Sequence, residues 1–558
     1  MNTHRLRARA MLSALLKAIG LWRVLYRLRA QRVSRQWFLQ FKRRYGNVLQ
    51  QRLNSAHSPD RIALITGVPF PEVVLELGLI KALELAGFVP VVVLPHPGSH
   101  LPAYYRLAAV KEVHLWREFT DPLDLPAAEA VIDRLQSLQE LLTFEYEGAR
   151  VGNFAVSTAL RHLRRGALEL QSAADRRILV QYVAAGLANV EAAQRIVRQF
   201  RPALAVFVDR GYMPKGELFD TCLMRGIDAI EWGLAHKHST LMIKRYHRQT
   251  RDEHLSSLSS ESWRIVQSME WTDAHRERLE QELYSNYANG DWYSVAGTQI
   301  DKELVNANDV RKRLGVDPMK KTAFIFPHIS WDATLFWGES LFENYEAWFI
   351  ETVRAACANN AVDWVIKIHP AHVGKGRREG FRGEPAEMTA LRQHVGALPP
   401  HMHIIPAESD ISTYSLFGMM DYCVTVRGTV GIEAARLGIP VLTAGTGRYD
   451  HKGFTIDSES REQYLERIAR IQAIPRLSAA QRELAERFAY GLFVLRPLPL
   501  TTVTLQYHKS QNRYSSKAQI NIRTKEEWYN ASDLKAIADW IAHPSQPDFL
   551  IPPSDSST

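Results

Sequence analysis

The sequence contains little cysteine: Cys222, Cys357 and Cys423 are the three cysteines among 558 residues. Because they are widely spaced and include no Cys-x-x-Cys pair, they indicate neither a disulfide framework nor a zinc site, and a reducing cytoplasm is the simplest compartment. The chain also has no D-x-D motif at a strand end, no H-E-x-x-H motif and no Walker lysine motif. These absences favour chemistry without a metal ion, and no cofactor is indicated. The lack of a G-x-S-x-G elbow argues against acyl transfer.

Acidic residues are absent from the first 59 positions, where thirteen lysines and arginines lie. The formal charge of +9 therefore comes from this end, because the rest of the chain has 56 basic residues against 60 acidic ones. The body of the protein is slightly acidic. The charge thus does not indicate a nucleic-acid partner, and none is expected.

The N-terminal segment also lacks a long uninterrupted hydrophobic run. Its apolar residues recur at steps of three and four, with basic residues mostly between them; they are Leu12, Leu15, Leu16, Ile19, Trp22, Leu25 and Tyr26. This pattern predicts a basic amphipathic helix that places residues 1–45 on an anionic membrane surface, without spanning the bilayer. No small-residue cleavage site follows, as a secretory signal would require. The alternative is a helix packed on the first domain with solvated arginines.

Short apolar runs that alternate with helical patterns predict an α/β protein with two doubly wound domains. The predicted division is a basic segment at 1–58, a first Rossmann-like domain with a helical insert at 59–300, a second at 301–497, and a tail at 498–558. The first domain opens with a strand after Arg61 and a helix from Glu72 to Ala86. The tail, with a late helix from Ser532 to Ala542, has no role that the sequence reveals.

The stretch 421–455 contains the clearest motif, because strand, turn, helix, turn and strand follow one another as in a βαβ unit. A ligand is expected at the carboxyl end of its first strand. There Gly428 lets the backbone approach closely, and Thr429 is expected to cap a helix whose free N–H groups suit an anion. Glu433, one turn further, is a candidate partner for ribose hydroxyls. The alternative for Glu433 is a solvated helix residue.

Loops after other predicted strands point to the same edge of the second sheet. His328 follows one strand, His369 follows another and precedes a proline that stops the strand, and Arg427 lies beside the turn already described. Several such residues at one edge predict a site for a nucleotide mono- or diphosphate.

Carboxylates in the first half are candidates for a catalytic base, since a carboxylate can take a proton from a sugar hydroxyl. Asp209 follows a strand that starts at Leu204, and Glu217 lies at the start of the next helix; Glu72 is a third candidate. The alternatives are a turn cap for Asp209 and a solvated helix position for Glu217.

Taken together, these residues resemble the bacterial capsule polysaccharide synthesis glycosyltransferases. The resemblance rests on Ile368-His369-Pro370, on Arg427-Gly428-Thr429-Val430-Gly431-Ile432-Glu433-Ala434 about sixty residues later, on Gly438-Ile439-Pro440-Val441, and on Gly447-Arg448-Tyr449 with Gly453-Phe454-Thr455. It covers roughly residues 320–456. Arg427 departs from the pattern, because such proteins often carry a small polar residue there.

The resemblance implies a GT-B fold, in which two Rossmann-like domains face a central cleft, and some members of the family transfer Kdo from its CMP conjugate. It implies that His369, Gly428 and Thr429 contact the donor phosphate and that Glu433 holds the nucleotide. Tyr449 is included in the expected donor site. His369 is also expected to stabilise the departing phosphate.

The leading hypothesis is thus a cytoplasmic glycosyltransferase, peripheral on the inner face of the membrane, that moves a sugar from a nucleotide-sugar donor to a lipid-linked or polysaccharide acceptor. A second hypothesis is a teichoic-acid-type glycerophosphate or polyol-phosphate transferase, for which His236 or His238 would serve as the base. A third is a nucleotide-sugar-binding assembly protein without catalysis.

Overall fold

The structure of the protein, a computed structural model, describes residues 21–53, 61–96, 98, 100–332, 335–379, 383–510 and 513–552. Its framework is two separate sheets, one of seven strands and one of six, with a two-stranded hairpin near the C-terminus. Helices cover both sheets, as burial of a parallel sheet on both faces requires.

The first sheet has the strand order β13-β6-β5-β4-β1-β2-β3. Its strands are β1 (Ile62–Ile65), β2 (Val89–Leu94), β3 (Glu112–Leu115), β4 (Leu204–Phe207), β5 (Asp228–Leu234), β6 (Thr240–Tyr246) and β13 (Leu498–Pro499). β1 to β5 run parallel to one another. β6 pairs antiparallel with β5, and β13 pairs antiparallel with β6. β1 pairs with β2 from Ile62 opposite Val89 and with β4 from Ala63 opposite Leu204.

The helices of this half are α1 (Leu21–Leu49), α2 (Val73–Leu85), α3 (Leu101–Leu107), α4 (Leu125–Asp133), α5 (Leu138–Leu142), α6 (Val151–Leu163), α7 (Ala173–Phe200) and α8 (Lys215–Met224). Two apolar clusters lie on opposite faces of the sheet, one built on α2 and the other on α7 and α8. α4 and α5 are separate helices, because Ser137 caps α5 by accepting a hydrogen bond from the Glu140 N–H at 3.2 Å.

The second sheet is parallel throughout and has the order β12-β11-β10-β7-β8-β9. Its strands are β7 (Thr322–Ile325), β8 (Asp363–Lys367), β9 (Met402–Ile405), β10 (Tyr422–Thr425), β11 (Val441–Thr443) and β12 (Ile456–Asp457). The helices around it are α11 (Ala307–Leu314), α12 (Tyr345–Cys357), α13 (Ala371–Glu379), α14 (Ala386–Ala390), α15 (Thr413–Leu416), α16 (Thr429–Ala435), α17 (Arg461–Ala469) and α18 (Ala479–Tyr490).

The connector between the sheets forms α9 (Ser260–Ser268) and α10 (Asp273–Ala288). Its buried residues Trp263, Leu279 and Leu283 share one apolar cluster with Phe488 of α18. The connector therefore packs with the second domain, although the sequence predicts a domain boundary only at 301.

The C-terminal segment folds onto the first domain. After β13 come the hairpin β14 (Val503–Ser510) and β15 (Arg513–Ile520), then α19 (Lys525–Asn530) and α20 (Ser532–Ala542). β13 extends the first sheet by pairing with β6, and the Trp528 indole N–H donates to the Val48 carbonyl at 3.1 Å. The predicted tail is thus part of the first domain's packing.

The N-terminal helix α1 packs through one face of its C-terminal half. Phe41, Tyr45 and Leu49 are buried in the core of the first domain. For this half the packed-helix alternative describes the structure. The predicted apolar stripe from Leu12 to Ile19 lies outside the described residues.

No helix within the described ranges is long and apolar enough to cross a membrane. The two Rossmann-like domains face each other across a cleft, and one cavity of this cleft is lined by 164–169 of the first domain and by Trp331, Glu346 and 384–394 of the second. The predicted GT-B fold class is confirmed.

Candidate functional site

A cavity of about 280 Å³ lies at the carboxyl ends of β7, β8 and β10. Loops of the second sheet contribute one wall, and the connector contributes the other through 254–256 and 287–299. In parallel sheets, ligands bind at this edge. The parallel arrangement thus brings together five sequence-predicted residues at one cavity: His328, His369, Gly428, Thr429 and Glu433.

His328 is held by the turn that follows β10. Its Nε2 accepts a hydrogen bond from the Arg427 backbone N–H at 3.3 Å, and its ring stacks on Tyr345 with centroids 4.5 Å apart. Burial, with the charge of Arg427 next in importance, holds the pKa of His328 well below its ordinary value. The imidazole is therefore neutral, and its Nδ1 carries the proton.

His369 lies two residues after β8, where Pro370 ends the strand. Its Nδ1 accepts from the Ala371 backbone N–H at 3.2 Å. Burial lowers the pKa of His369 to about 3, with smaller contributions from His372 and Lys375. The neutral ring thus carries its proton on Nε2, which makes that nitrogen a hydrogen-bond donor.

Arg427 is buried and lies beside the cavity, and its side chain is not in the lining. Its Nη2 donates to the Glu339 carbonyl at 2.9 Å and to the Ser340 hydroxyl. A methyl group at position 445 would lie 2.5 Å from Nη2, so Gly445 makes room for this guanidinium. Arg427 therefore positions the turn and His328 through its main chain.

Arg448 supplies the guanidinium that does line the cavity. Its Nε donates to the Ser256 carbonyl at 3.2 Å, and its Nη1 donates to the Arg427 carbonyl at 3.3 Å. Sequence reasoning quoted Arg448 within a motif without giving it a role. Both acceptors are backbone carbonyls, so these two contacts do not neutralise the positive charge of Arg448.

The turn after β10 differs in detail from the expectation. Gly428 itself is the N-cap, Thr429 is the first helical residue, and the Thr425 hydroxyl accepts from the Gly428 N–H at 3.3 Å. The predicted capping role of Thr429 is therefore wrong, because the helix starts one residue earlier than the capping pattern assumed. Tyr449 is buried behind the turn and donates to the Gly428 carbonyl at 2.8 Å. Tyr449 thus supports the turn and is not part of the lining.

Glu433 lines the cavity but is buried, so the alternative of a solvated helix residue is wrong. Its Oε2 accepts a hydrogen bond from the Tyr287 hydroxyl at 2.7 Å. Burial raises the pKa of Glu433 to about 7. Tyr287 in turn stacks on Trp292, with ring centroids 4.8 Å apart. This end of the cavity is aromatic, and its carboxyl group titrates near neutrality.

The first-domain candidates for a base lie outside the cavity lining. Glu217 is fully buried between α7 and α8, where Asn189 donates to its Oε1 at 3.3 Å, and burial raises its pKa to about 8. Glu217 therefore neither reaches the cavity, as a catalytic base would, nor lies in solvent, as the alternative predicted, because the register of α8 turns it toward α7. Glu72 accepts from the Tyr507 hydroxyl at 2.7 Å. Asp209 is exposed at the end of β4, with a left-handed φ of 55°.

The sequence analysis missed His254 and Lys367, two basic side chains of the lining. His254 follows β6, and its Nδ1 accepts from the Ser256 N–H at 2.9 Å; burial and the nearby Arg448 hold its pKa well below the ordinary value. Lys367, the last residue of β8, donates to the Ile368 carbonyl at 3.1 Å, and burial lowers its pKa to about 7. Neither residue belongs to a periodic pattern that would have drawn attention to it.

The histidines proposed for phosphotransfer lie behind the aromatic wall. His236 is fully buried and its Nε2 lies 2.7 Å from Glu282 Oε1. His238 pairs with Asp291 at 2.8 Å. Neither lines the cavity.

Most groups of the cavity that bear charge or N–H donors suit an anionic ligand. They are His254, His328, Lys367, His369 and Arg448, against the single carboxyl of Glu433. Within the ranges that the structure describes, no group of three or more histidines, cysteines and carboxylates could hold a metal ion.

Comparison with solved structures finds distant similarities. A beta Kdo 2,4-transferase, KpsC of Thermosulfurimonas dismutans, is 12% identical over 53% of this chain and 81% of its own, with a TM-score of 0.33. UDP-GlcNAc 2-epimerase of Neisseria meningitidis is 11% identical over 77% of this chain and 96% of its own, with a TM-score of 0.26. The glycosyltransferase SnogD of Streptomyces nogalater is 13% identical over 78% and 95%, with a TM-score of 0.23.

Comparison with curated proteins gives no match. A protein-family model described as capsule polysaccharide biosynthesis protein matches residues 267–488. The matched segment includes α10 and ends within α18, which agrees with the packing of the connector against the second domain. The resemblance stated from the sequence is confirmed: residues 267–488 match the model of the capsule polysaccharide biosynthesis family.

Proposed function

We propose that the protein is a glycosyltransferase of capsule or surface polysaccharide synthesis that takes a sugar from a nucleotide-sugar donor, CMP-Kdo or another, bound in the cavity. The observation that carries the proposal is that three neutral imidazoles and Arg448 line one small cavity beside an aromatic wall. Neutral N–H donors and a guanidinium are the groups that bind a phosphate without a metal ion.

The cavity is polarised in a way that fits a nucleotide. His328, His369 and Arg448 lie toward the turn after β10, whereas Tyr287 and Trp292 come from the connector. Aromatic rings bind a base through stacking, and the phosphate end stabilises the charge that develops on the leaving group. Glu433 remains our candidate for the ribose hydroxyls, because its pKa near 7 allows it to accept or donate a hydrogen bond.

The base that activates the acceptor is proposed to be Asp209. Of the three first-domain candidates, it is the exposed carboxylate that follows a strand at the carboxyl edge of the sheet. Its left-handed backbone, uncommon for a residue with a side chain, is a feature often found at functional sites.

The acceptor is proposed to be a lipid-linked or polysaccharide chain reached from the membrane surface. The outward face of α1 carries exposed basic residues and exposed apolar ones, namely Arg32, Arg35, Lys42, Arg43, Arg44, Val33, Trp37 and Leu39, and no acidic residue. Basic residues attract anionic lipid head groups, and tryptophan favours the interface. This face lies within residues 1–45, the segment that is proposed to bind the membrane surface.

The test is calorimetric and thermal-shift titration with CMP, UDP, GDP, CDP-glycerol and their sugar conjugates. The proposal expects one nucleotide class to bind and expects His369→Ala to weaken that binding roughly ten- to hundredfold. His247→Ala, at an exposed histidine outside the cavity, is the matched control. Binding with CDP-glycerol alone would favour the polyol-phosphate transferase, and binding without any turnover would favour the assembly protein.

A further inference from the structure

Two aromatic residues of the second domain insert into the first. Phe336 and Trp337, which we call the aromatic latch, follow β7 and are both buried. The ring of Phe336 packs against Tyr212, with centroids 5.2 Å apart. A methyl group at position 211 would lie 2.1 Å from this ring, so Gly211 is what allows the close approach.

The latch meets a buried arginine. The guanidinium carbon of Arg210 lies 4.7 Å from the Trp337 ring, and it also lies 4.4 Å from Phe219 and 4.1 Å from Tyr246. Arg210 Nε donates to Glu231 Oε2 at 3.1 Å, and Nη2 donates to the Glu253 carbonyl at 2.9 Å. Arg210 thus connects the latch to the main chain just before His254.

The second domain contacts His254 at this point, while Arg210 of the first domain holds the carbonyl of the preceding residue, Glu253. The ring of His254 lies 4.5 Å from Trp337, and its backbone N–H donates to the Gly447 carbonyl at 2.8 Å. The preceding Asp252 carbonyl accepts from the Gly338 N–H at 2.9 Å. The position of His254 therefore depends on the latch being docked.

The three cavity histidines share one hydrogen-bond pattern. In His254, His328 and His369, one ring nitrogen accepts from a backbone N–H, at 2.9, 3.3 and 3.2 Å. An accepting nitrogen carries no proton, so each ring is a neutral tautomer whose other nitrogen is an N–H donor. The second nitrogen of His254 and of His369 has no hydrogen-bond partner within the described part of the chain.

We propose that His254 contacts the donor phosphate through Nε2–H, and that docking of the aromatic latch places it there, so that both domains complete the donor site. This inference rests on the proposed donor cavity. It adds His254 to the residues that contact the donor, and it makes that contact depend on docking of the latch. Burial, followed by the charges of Arg448, Arg427, Arg210 and His328, lowers the pKa of His254 and so opposes its protonation. The ring donates to an anion as a neutral group.

The experiment measures binding of inorganic pyrophosphate, CMP and UDP-GlcNAc by calorimetry, together with the melting temperature of each unliganded variant. The expected result is that His254→Ala weakens binding roughly ten- to hundredfold and that His254→Gln, which keeps an N–H donor, restores part of it. Trp337→Ala is expected to weaken binding similarly, and Trp337→Phe to remain close to the wild type. Trp271→Ala, which removes a partly buried indole outside the latch, is the control.

The outcomes separate this inference from the proposed function. Nucleotide binding that requires His369 but is unchanged within about twofold by His254→Ala overturns the inference and leaves the donor site standing. Pyrophosphate binding that requires His254, with no nucleotide bound, supports the inference and overturns the proposed nucleotide specificity. Absence of binding for all three probes overturns both. Equal loss in His254→Gln and His254→Ala with a lowered melting temperature assigns His254 a structural role and overturns the inference.

Discussion

The hydroxyl of Tyr287 donates a 2.7 Å hydrogen bond to Glu433, and this contact joins the connector helix α10 to α16, the helix that follows β10. Both residues line the cavity, and the carboxyl group is buried with a pKa raised to about 7. Burial raises the pKa of this carboxyl group, and the hydrogen bond from the connector opposes that rise by stabilising the anionic form. The same relationship leads to a prediction about the pH dependence of ligand binding.

We predict that nucleotide binding weakens as the pH rises through about 7. Glu433 changes from neutral to anionic over this range, and Lys367, whose pKa is also near 7, changes from cationic to neutral. Both changes disfavour an anionic ligand. Calorimetry with UDP-GlcNAc, whose phosphate groups do not titrate near neutrality, should show this slope, and Glu433→Gln or Lys367→Met should each reduce it.

Histidine protonation gives a different result. If the cavity bound phosphate through imidazolium groups, the pH dependence of nucleotide binding would persist in Glu433→Gln and in Lys367→Met. It would disappear in His369→Gln. Because burial lowers the pKa of His369 to about 3, we expect that variant to bind more weakly at every pH and to keep the wild-type slope.

Glu217 leads to a prediction about stability. Burial raises its pKa to about 8 from the ordinary 4.5, so the folded protein keeps a proton that the unfolded chain releases. The contribution of Glu217 to stability is therefore most favourable below about pH 4.5 and is lost as the pH rises toward 8. Glu217→Gln should flatten this decline and raise the free energy of unfolding at pH 8 by on the order of 1 to 3 kcal/mol. Melting curves across this pH range measure it.

The surface carboxylate Glu129 offers a control, since Glu129→Gln should leave the pH profile unchanged. Nucleotide binding is also expected to be unchanged in Glu217→Gln. A large loss of glycosyl transfer in that variant, with unaltered stability, would restore Glu217 as the catalytic base.

Closure of the two domains can be tested at Gly211. We predict that Gly211→Ala displaces Phe336, because the added methyl group would lie 2.1 Å from its ring, and that pyrophosphate binding weakens roughly tenfold. Gly46→Ala is the matched control, since its methyl group would meet Leu107 at an ordinary 3.6 Å. Small-angle scattering should show a more open particle for Gly211→Ala alone. Unchanged scattering with unchanged binding would contradict a role for the latch.

The membrane proposal is tested by removing charge while keeping α1 folded. Deletion of residues 1–45 would also remove Phe41 and Tyr45 from the first-domain core, so substitutions are the sharper test. Changing Arg32, Arg35 and Arg43 to glutamine should weaken binding to vesicles with anionic lipid by roughly two orders of magnitude, at about 1 kcal/mol per basic residue.

Three other exposed basic residues of the first domain provide the control for charge alone. Changing Arg117, Arg134 and Arg198 to glutamine lowers the net charge equally but leaves α1 intact. Equal loss of vesicle binding in both triple variants would show that the membrane responds to total charge and not to the face of α1.

The strands and the sheet edge at which the cavity lies could be predicted because their signals are local. Apolar runs such as Tyr422 to Thr425 form buried strands, and parallel strands bring His328, His369 and Gly428 to one edge whatever the details of packing. The late helix was predicted at Ser532–Ala542 and is found there. In each case the information lies within about ten neighbouring residues.

The missed features depend on contacts between distant parts of the chain. His254 and Tyr287 reach the cavity from the connector, whose place is fixed by packing against α18. β13 pairs with β6 across more than 250 residues of sequence, which left the tail without a predicted role. The orientation of Glu217 depends on the docking of α8 against α7. No periodic pattern in the sequence reports such contacts.

The central claim is that a donor phosphate binds among His254, His328, His369 and Arg448. Its most direct test is a crystal structure of the protein with CMP, and a second with inorganic pyrophosphate, each at saturating concentration. We expect phosphate oxygens at about 3 Å from His254 Nε2, His369 Nε2 and the Arg448 guanidinium, with the aromatic latch docked. A nucleotide bound elsewhere in the cleft, or a phosphate out of reach of these nitrogens, would contradict it.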